Sequence, residues 1–161
     1  MEHSAGIILY RVENGCIYFL MSTPGGPYWE GKTLWCFPKG HIENFDVDDF
    51  EAAKREFYEE TGIKIENLDC SVYDMGIIRQ NRTKNVHTFA VMCNDDSVVD
   101  ISSLKCPILT EIEYPEGSGN KIMIEEISGY RWMSLKQLEN EKDVIKSYLN
   151  TYKKIDKMAK K

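Results

Sequence analysis

The sequence lacks the features that mark membrane, secreted or nucleic-acid-coating proteins. No apolar run in its 161 residues approaches the ~18 residues that a membrane-spanning helix requires. Met1 to Tyr10 has no basic segment leading into a long apolar one, so a secretory signal is not expected. The cysteines, Cys16, Cys36, Cys70, Cys93 and Cys106, are odd in number, and no two stand at C-x-x-C spacing. Neither a zinc knuckle nor a disulfide framework is expected. Reduced, mostly buried thiols in a cytoplasmic protein are expected instead. Basic charge is also short: 20 Lys and Arg stand against 26 Asp and Glu, for a net charge of -6. Neutralising the phosphates of duplex nucleic acid needs a basic surface, so such a partner is not expected, and neither is a membrane. A small phosphorylated ligand is compatible with acidic residues if a divalent cation stands between them. No internal repeat and no linker interrupts the chain. One domain over residues 1–161 follows, large enough for a single sizeable core.

What is present is an alternation of apolar runs and turn signals. Ser4 to Val12 reads as a strand, Glu13-Asn14-Gly15 as a turn, and Cys16 to Met21 as the returning strand. Thr23 to Thr33 holds Pro24, Gly25, Gly26, Pro27 and Gly31 and reads as a loop. Leu34 to Pro38 reads as a short strand ending at proline. Asp48 to Thr61 turns helical, with Asp48 as N-cap, Glu51 three residues on, and Gly62 suited to the left-handed position after the helix. Val72–Arg79 and Val86–Cys93 read as strands joined by a polar turn. Asn94 to Cys106 reads as a surface excursion, Pro107 to Tyr114 as a further strand, and Pro115 to Asn120 as a glycine-rich loop. Tyr130 to Met133 fits a last strand, and Ser134 caps a helix carrying Leu135 and Leu138. Asp143 to about Lys157 reads as a final helix, with a basic end, 153–161, expected to fray. Strands on both sides of a mid-chain helix, with helices at the end, predict an α/β chain: one mixed sheet in an α/β/α sandwich.

The mid-chain helix carries the strongest chemical signal. At about 100° per residue, with Glu56 at zero, Glu60 lies at roughly 40° and Glu59 at roughly -60°. The three carboxylates therefore share a face, while Phe50, Ala53 and Phe57 fall on an adjacent face suited to the core. Such like-charge pairs destabilise an isolated helix by roughly 0.2–0.5 kcal/mol each. A cation among them removes that cost. Hard divalent ions take oxygen ligands, and Mg²⁺ keeps waters and shares substrate phosphates. An acidic run of this kind is most often a solvated face. The flanks change that weighting: Arg55 precedes the first glutamate, Gly62 and Ile63 follow the last, and Pro38-Lys39-Gly40 opens the unit.

These residues resemble the signature of the Nudix hydrolases, the MutT-like family: G-x5-E-x7-R-E-U-x-E-E-x-G-U, with U apolar. Gly40, Arg55, Glu56, Phe57, Glu59, Glu60, Gly62 and Ile63 fall into place within the box at 40–63. One departure is present. Gly40 and Arg55 are one residue further apart than the signature requires, so its first glutamate has no clean equivalent. Asp46 is the natural stand-in and Asp48 the second choice. Beyond the box, Ser4-Ala-Gly-Ile-Ile-Leu-Tyr10, Pro38-Lys-Gly-His41 and Tyr130-Arg-Trp-Met133 look like the diadenosine-polyphosphate hydrolase branch. Thr23-Pro-Gly-Gly-Pro-Tyr-Trp29 looks like a related bacterial group described only as NTP pyrophosphohydrolases.

The resemblance implies a Nudix fold and a hydrolase acting on acid anhydrides of phosphorus. Glu56, Glu59 and Glu60, with a backbone carbonyl at Lys39 or Gly40, would bind Mg²⁺ or Mn²⁺. Arg55 would orient the carboxylates. A general base is expected just before the last strand: Glu126 is the best match, Glu125 the runner-up, and Glu111 and Glu113 distant candidates. The implied substrate is a nucleoside diphosphate linked to another group, with dinucleoside polyphosphates or nucleoside triphosphates foremost. Oxidised nucleotides, capped RNA ends and diphosphoinositol phosphates stay open. From the residues themselves, Tyr28, Trp29 and Trp35 are candidates to stack a base; a core or idle-loop role is the alternative for each. Lys39, Arg79, Arg82 and Lys84 are candidates to meet phosphates, against the plainer reading of solvated loop residues, and His41, next to Gly40, is a candidate to line the site. His87, in a strand, is read as structural. A nucleotide-sensing module with the same fold and no turnover is the competing class, favoured by the extra box residue alone. Monomer and homodimer are both left open.

Overall fold

The computed structural model of the chain describes residues 1–160. Its strands are β1 (Glu2–Glu13), β2 (Cys16–Pro24), β3 (Lys39–His41), β4 (Ser71–Asn81), β5 (Lys84–Met92), β6 (Thr110–Glu113), β7 (Lys121–Ile124) and β8 (Ile127–Ser134). The helices are α1 (Asp49–Thr61), α2 (Asp96–Val99), α3 (Leu135–Asn140) and α4 (Leu149–Ala159). A mixed sheet runs in the order β4-β5-β1-β2-β8, with β3 paired to β1. The β1–β5 pair is parallel, and β1–β2, β1–β3, β2–β8 and β4–β5 are antiparallel. β6 and β7 form a separate hairpin outside this sheet.

The unbroken apolar run Ile7-Ile8-Leu9-Tyr10 follows from the central place of β1. A strand covered on both faces needs apolar residues at odd and even positions alike. Ala5, Ile7 and Leu9 join Leu20, Phe89 and Val91 under Ala52, Ala53 and Phe57 of α1. Ile8 and Tyr10 join Phe19, Met21 and Ala90 under Leu138 of α3 and Tyr148, Tyr152 and Ile155 at α4. The result is the α/β/α sandwich expected, with a core on each face of the sheet. Among the described residues, no helix is long and apolar enough to cross a membrane.

The structure departs from the expected elements in three places. Leu34–Pro38 is not a strand of the sheet; it pairs through the isolated bridges Ser22–Cys36 and Trp35–Val144. Pro38 has no N–H to continue a ladder, and regular pairing begins only at β3. The final helix does not begin near Asp143. The Trp35 backbone pairs with Asp143 and Ile145 at 2.6 and 3.1 Å, which holds that stretch extended. From there α4 runs to Ala159, with Tyr152 and Ile155 buried in the core. Lys161 lies outside the described residues. Finally, Asn94–Cys106 is no mere surface excursion. Val98, Leu104 and Cys106 are buried in it, and the Lys105 N–H donates to the Thr61 carbonyl at the end of α1.

Candidate active site

α1 begins and ends as its sequence dictates. The Asp48 carboxylate accepts the Glu51 N–H at 2.8 Å, which satisfies one of the orphan donors of the first turn. Gly62, at φ 78°, closes the helix in the left-handed region. Phe57 is fully buried and fixes the rotation of the helix on the sheet. That rotation carries Glu56 and Glu60 inward, at 7% and 5% exposure, while Glu59 lies at the rim.

The box loop is held from α1. Arg55 Nε donates to Asp46 Oδ1 at 3.0 Å and its Nη2 to Asp46 Oδ2 at 2.9 Å. This bidentate fork is the geometry that makes an arginine–carboxylate pair specific. Nη2 also donates to the His41 carbonyl at 2.9 Å. Nη1 reaches Glu56 at 3.0 Å and both oxygens of Glu59 at 3.3 Å. Asp46 is buried to 4% side-chain exposure and accepts the Glu43 N–H as well. Its carboxyl lies below the usual range, chiefly because of Arg55. Asp46 thus ties the box loop to Arg55, and Asp48 is the helix cap. The extra residue is taken up in the exposed turn between them, where Val47 is 88% exposed.

Gly40 explains its own identity. A Cβ built there would stand 2.1 Å from the Glu56 carboxyl carbon. Only hydrogen lets the Glu56 carboxylate lie across β3. Along β3 opens a cleft of about 340 Å³. Lys39, His41, Glu60 and Glu126 enter it, Gln80 and Lys84 come from the β4–β5 hairpin, and Trp29, Leu34 and Ile145 form an apolar side.

The electrostatics are those of crowded carboxylates. Burial and then the Glu59 charge push Glu56 up to about 7, against the pull of Arg55. Burial, followed by Glu126 and Glu56, raises Glu60 well above the usual range, although Lys39 and its backbone N–H oppose this. Glu126 is raised by partial burial and by Glu59, with His41 acting the other way. The charge of Glu59 makes Glu56 and Glu126 harder to ionise, and those two do the same to Glu60. A divalent cation among them reverses that penalty, and hard oxygen donors are the ligands it prefers. The donor set fits such an ion. Among the described residues, however, the carboxylates are not already gathered into a ready-made ligand cluster: the Arg55 guanidinium bridges Glu56 and Glu59. At the far end of the cleft, burial and then the neighbouring Lys39 ammonium lower the pKa of Lys84. Two adjacent ammonium groups in a half-buried cleft are suited to an anion.

The structure gathers Lys39, Gly40, His41, Trp29, Lys84, Arg55, Glu56, Glu59, Glu60 and Glu126 at or beside the cleft. It does not place the remaining candidates there. Tyr28 turns away, donating to the Glu113 carbonyl at 2.8 Å and meeting the Tyr114 ring edge-on at 5.1 Å. Arg79 folds back on its own turn, donating to the carbonyls of Asn81 and Arg82. Trp35 is buried in the core with Arg131 over its ring. Glu113 caps the β6–β7 turn through the N–H groups of Gly117 and Gly119, and Glu111 is exposed on that hairpin. His87 is structural: its two ring nitrogens meet Asp49 and Asp74, each at 2.8 Å. Gln80 was missed. It is positioned by Tyr148, whose hydroxyl donates to its Oε1 at 2.7 Å, and no local pattern announces a contact across that distance.

Comparison with known proteins adds the following. The family model for the NUDIX domain matches residues 2–154. A stretch of 55 residues is 38% identical to an uncharacterized 17.7 kDa protein of Enterobacteria phage T4, covering 34% of this chain and 36% of that protein. The match therefore spans about a third of that relative's length. Among solved structures, an Ap4A hydrolase binary complex from C. elegans superposes with a TM-score of 0.60 at 20% identity, over 99% of this chain and 96% of that one. The NUDIX domain of Shewanella oneidensis NrtR, complexed with ADP ribose, gives 0.61 at 11% identity, over 99% and 88%. A MutT protein from Methanosarcina mazei gives 0.59 at 17% identity, over 99% and 96%. At these identities the structural likeness is one of fold.

Proposed function

The chain belongs to the NUDIX domain family, and we propose that it is a hydrolase acting on pyrophosphate bonds whose substrate is a nucleoside diphosphate joined to a further group. A dinucleoside polyphosphate is the first choice and a nucleoside triphosphate the second. The observation that carries this reading is the fork of Asp46 on Arg55, which holds Glu56 and Glu59 in place despite the extra box residue. The feature that favoured a sensing module without turnover is absorbed by an exposed turn, so the enzymatic reading stands ahead of it.

Glu56, Glu59 and Glu60, with the carbonyl of Lys39 or Gly40, would hold Mg²⁺ or Mn²⁺. Such an ion, when bound, polarises a phosphoryl oxygen and makes a coordinated water more acidic. The chain's own groups do the rest. Arg55 orients Glu56 and Glu59. Lys39 and Lys84 attract the phosphate chain to the far end of the cleft. Trp29 offers a face on which a base stacks. Glu126, part-buried at the cleft with its pKa raised by that burial, takes a proton from the attacking water. Water adds across the P–O–P linkage and leaves two phosphate-terminated fragments. The five free cysteines support placement in the reducing cytoplasm.

The test is a product screen of purified protein with Mg²⁺ and with Mn²⁺. The panel holds diadenosine tetraphosphate, ADP-ribose, a nucleoside triphosphate, a capped RNA and a diphosphoinositol phosphate. Fastest cleavage of the dinucleoside polyphosphate is expected. Absence of metal-dependent cleavage across the panel overturns the reading, and fastest cleavage of another member replaces the substrate.

A further inference from the structure

Tyr28 stood out in the sequence as a base-stacking candidate, and the structure gives it other contacts. Its hydroxyl donates to the Glu113 carbonyl, and its ring packs on Tyr114. Both partners sit at the end of β6, in the hairpin that stands apart from the main sheet. The other strand of that hairpin, β7, ends at Ile124, two residues before Glu126. The loop that carries Tyr28 is pressed along this exit. A Cβ at Gly26 would stand 2.6 Å from Ile124 Cδ1, and one at Gly25 would stand 2.5 Å from the Glu125 carbonyl oxygen. The Gly25 N–H donates to the Glu126 carbonyl at 2.8 Å. Ser128 donates to the Pro24 carbonyl at 2.9 Å. The β2–β8 register slips at Thr23/Pro24, just where Glu126 precedes β8. The Glu126 backbone is thus anchored from the Pro24–Tyr28 loop through the Gly25 N–H, beside the Cys106 thiol, which meets the backbone of Glu126 and Ile127. Tyr28 is the residue that ties that loop to the hairpin feeding Glu126.

We propose that Tyr28 is a positioning residue for Glu126: it clamps the β6–β7 hairpin to the Pro24–Trp29 loop and so sets where the Glu126 carboxylate stands in the cleft. The inference rests on the reading of Glu126 given above. Tyr28 acts on geometry alone, because neither its ring nor its hydroxyl enters the cleft. Displacement of a reactive group by about an ångström can cost orders of magnitude in rate, so a distant clamp affects kcat more than KM.

The test is a double-mutant cycle measured with diadenosine tetraphosphate and Mg²⁺, or with the panel nucleotide cleaved in its place. Tyr28→Ala is expected to lower kcat about tenfold with KM changed less than about twofold. Tyr28→Phe, which keeps the ring contact, should fall between it and the unmodified enzyme. Tyr114→Ala, which attacks the clamp from the other side, should reproduce Tyr28→Ala. In the Glu126→Gln background Tyr28→Ala should cause no further loss. Hydrogen exchange gives a readout free of catalysis: the Gly25 amide should exchange faster in Tyr28→Ala. An undiminished Tyr28→Ala effect in the Glu126→Gln background overturns the proposal, as does an unaltered Gly25 exchange rate. A Glu126→Gln enzyme with full activity removes the underlying assignment of Glu126, and that result is separate from any behaviour of Tyr28.

Discussion

On one wall of the cleft, Arg55 grips Asp46 nine residues away; on the other, Tyr28 reaches Glu113, 85 residues away. The first wall is a loop and a helix that satisfy each other. Asp46, buried at 4% side-chain exposure, accepts from Arg55 and from the Glu43 N–H, and Arg55 in turn fixes two of the box glutamates. The second wall is a proline- and glycine-rich loop with Glu126, backed by a hairpin outside the main sheet through a hydrogen bond, a ring contact and close packing. Chemistry that must not vary is built from a local, redundant network. The loop wall, which the proposed function sets against the variable part of the substrate, is assembled from long-range contacts. The comparison requires that substitutions on the helix wall damage kcat, that Trp29 on the loop wall acts mainly on substrate binding, and that Tyr28 reaches kcat only through Glu126.

The largest effect is expected from Glu60→Gln. Glu60 is buried among carboxylates, so a neutral isostere relieves repulsion, and thermal melting should be unchanged or raised. Turnover should nevertheless fall by about 10²–10³-fold, as when one preorganised electrostatic group is lost. Unchanged kcat in a folded Glu60→Gln enzyme would break the comparison at its centre. The next effect separates the two aspartates of the box loop. Asp46→Ala removes the fork on Arg55 and should lower kcat about 10–100-fold, the usual scale for a group that orients a ligand carboxylate. Asp48→Ala removes only a helix cap, costing about 1 kcal/mol of stability with kcat near that of the unmodified enzyme. The reverse ranking would hand the missing glutamate's part to Asp48.

The same division governs what could be read from the sequence. Glu56, Glu59 and Glu60 were legible because helical periodicity is local, and the Asp48 cap and Gly62 terminus were legible for the same reason. The two-faced core of β1 was visible in its unbroken apolar run. The placement of Glu126 was reached only by counting back from the last strand. Gln80 left no signal, because it is set by Tyr148, 68 residues away. Tyr28 was read as a stacking ring because composition gives an aromatic loop residue no direction, and the hairpin that claims it pairs a stretch, Lys121–Ile124, too short to announce itself. The start of α4 was misplaced because the Trp35 backbone, far away in sequence, holds Asp143 to Ile145 extended.

A smaller effect is expected on the loop wall. Trp29 lines the cleft beside Leu34 and Ile145, so Trp29→Ala removes a stacking face worth about 1–3 kcal/mol. Steady-state kinetics should show KM raised about tenfold or more, with kcat less affected. A fall in kcat with KM unchanged would place Trp29 with the reacting groups and erase the distinction between the walls.

The smallest effect tests whether the rigidity of the helix wall extends to the first residue of α1. His87 on β5 lies between Asp49, which opens α1, and Asp74 on β4, and its ring stacks on Phe89. Burial alone would disfavour its charge, but the two carboxylates outweigh this and raise its pKa; the same contact contributes to holding Asp74 low. A histidine raised in the folded state adds stability that is fully present below its unfolded value of about 6.5. That stability is lost as pH rises through the folded value. Because the partners are partly solvated, the contribution should be no more than about 1 kcal/mol. Urea unfolding of the native chain and of His87→Gln should therefore show the native chain favoured most below about pH 6.5, with the gap narrowing toward pH 9. A gap that stays constant or widens with pH would mean that the clasp does not hold the start of α1 by charge, leaving the Asp48 cap and the core contact of Phe57 to hold the helix wall there.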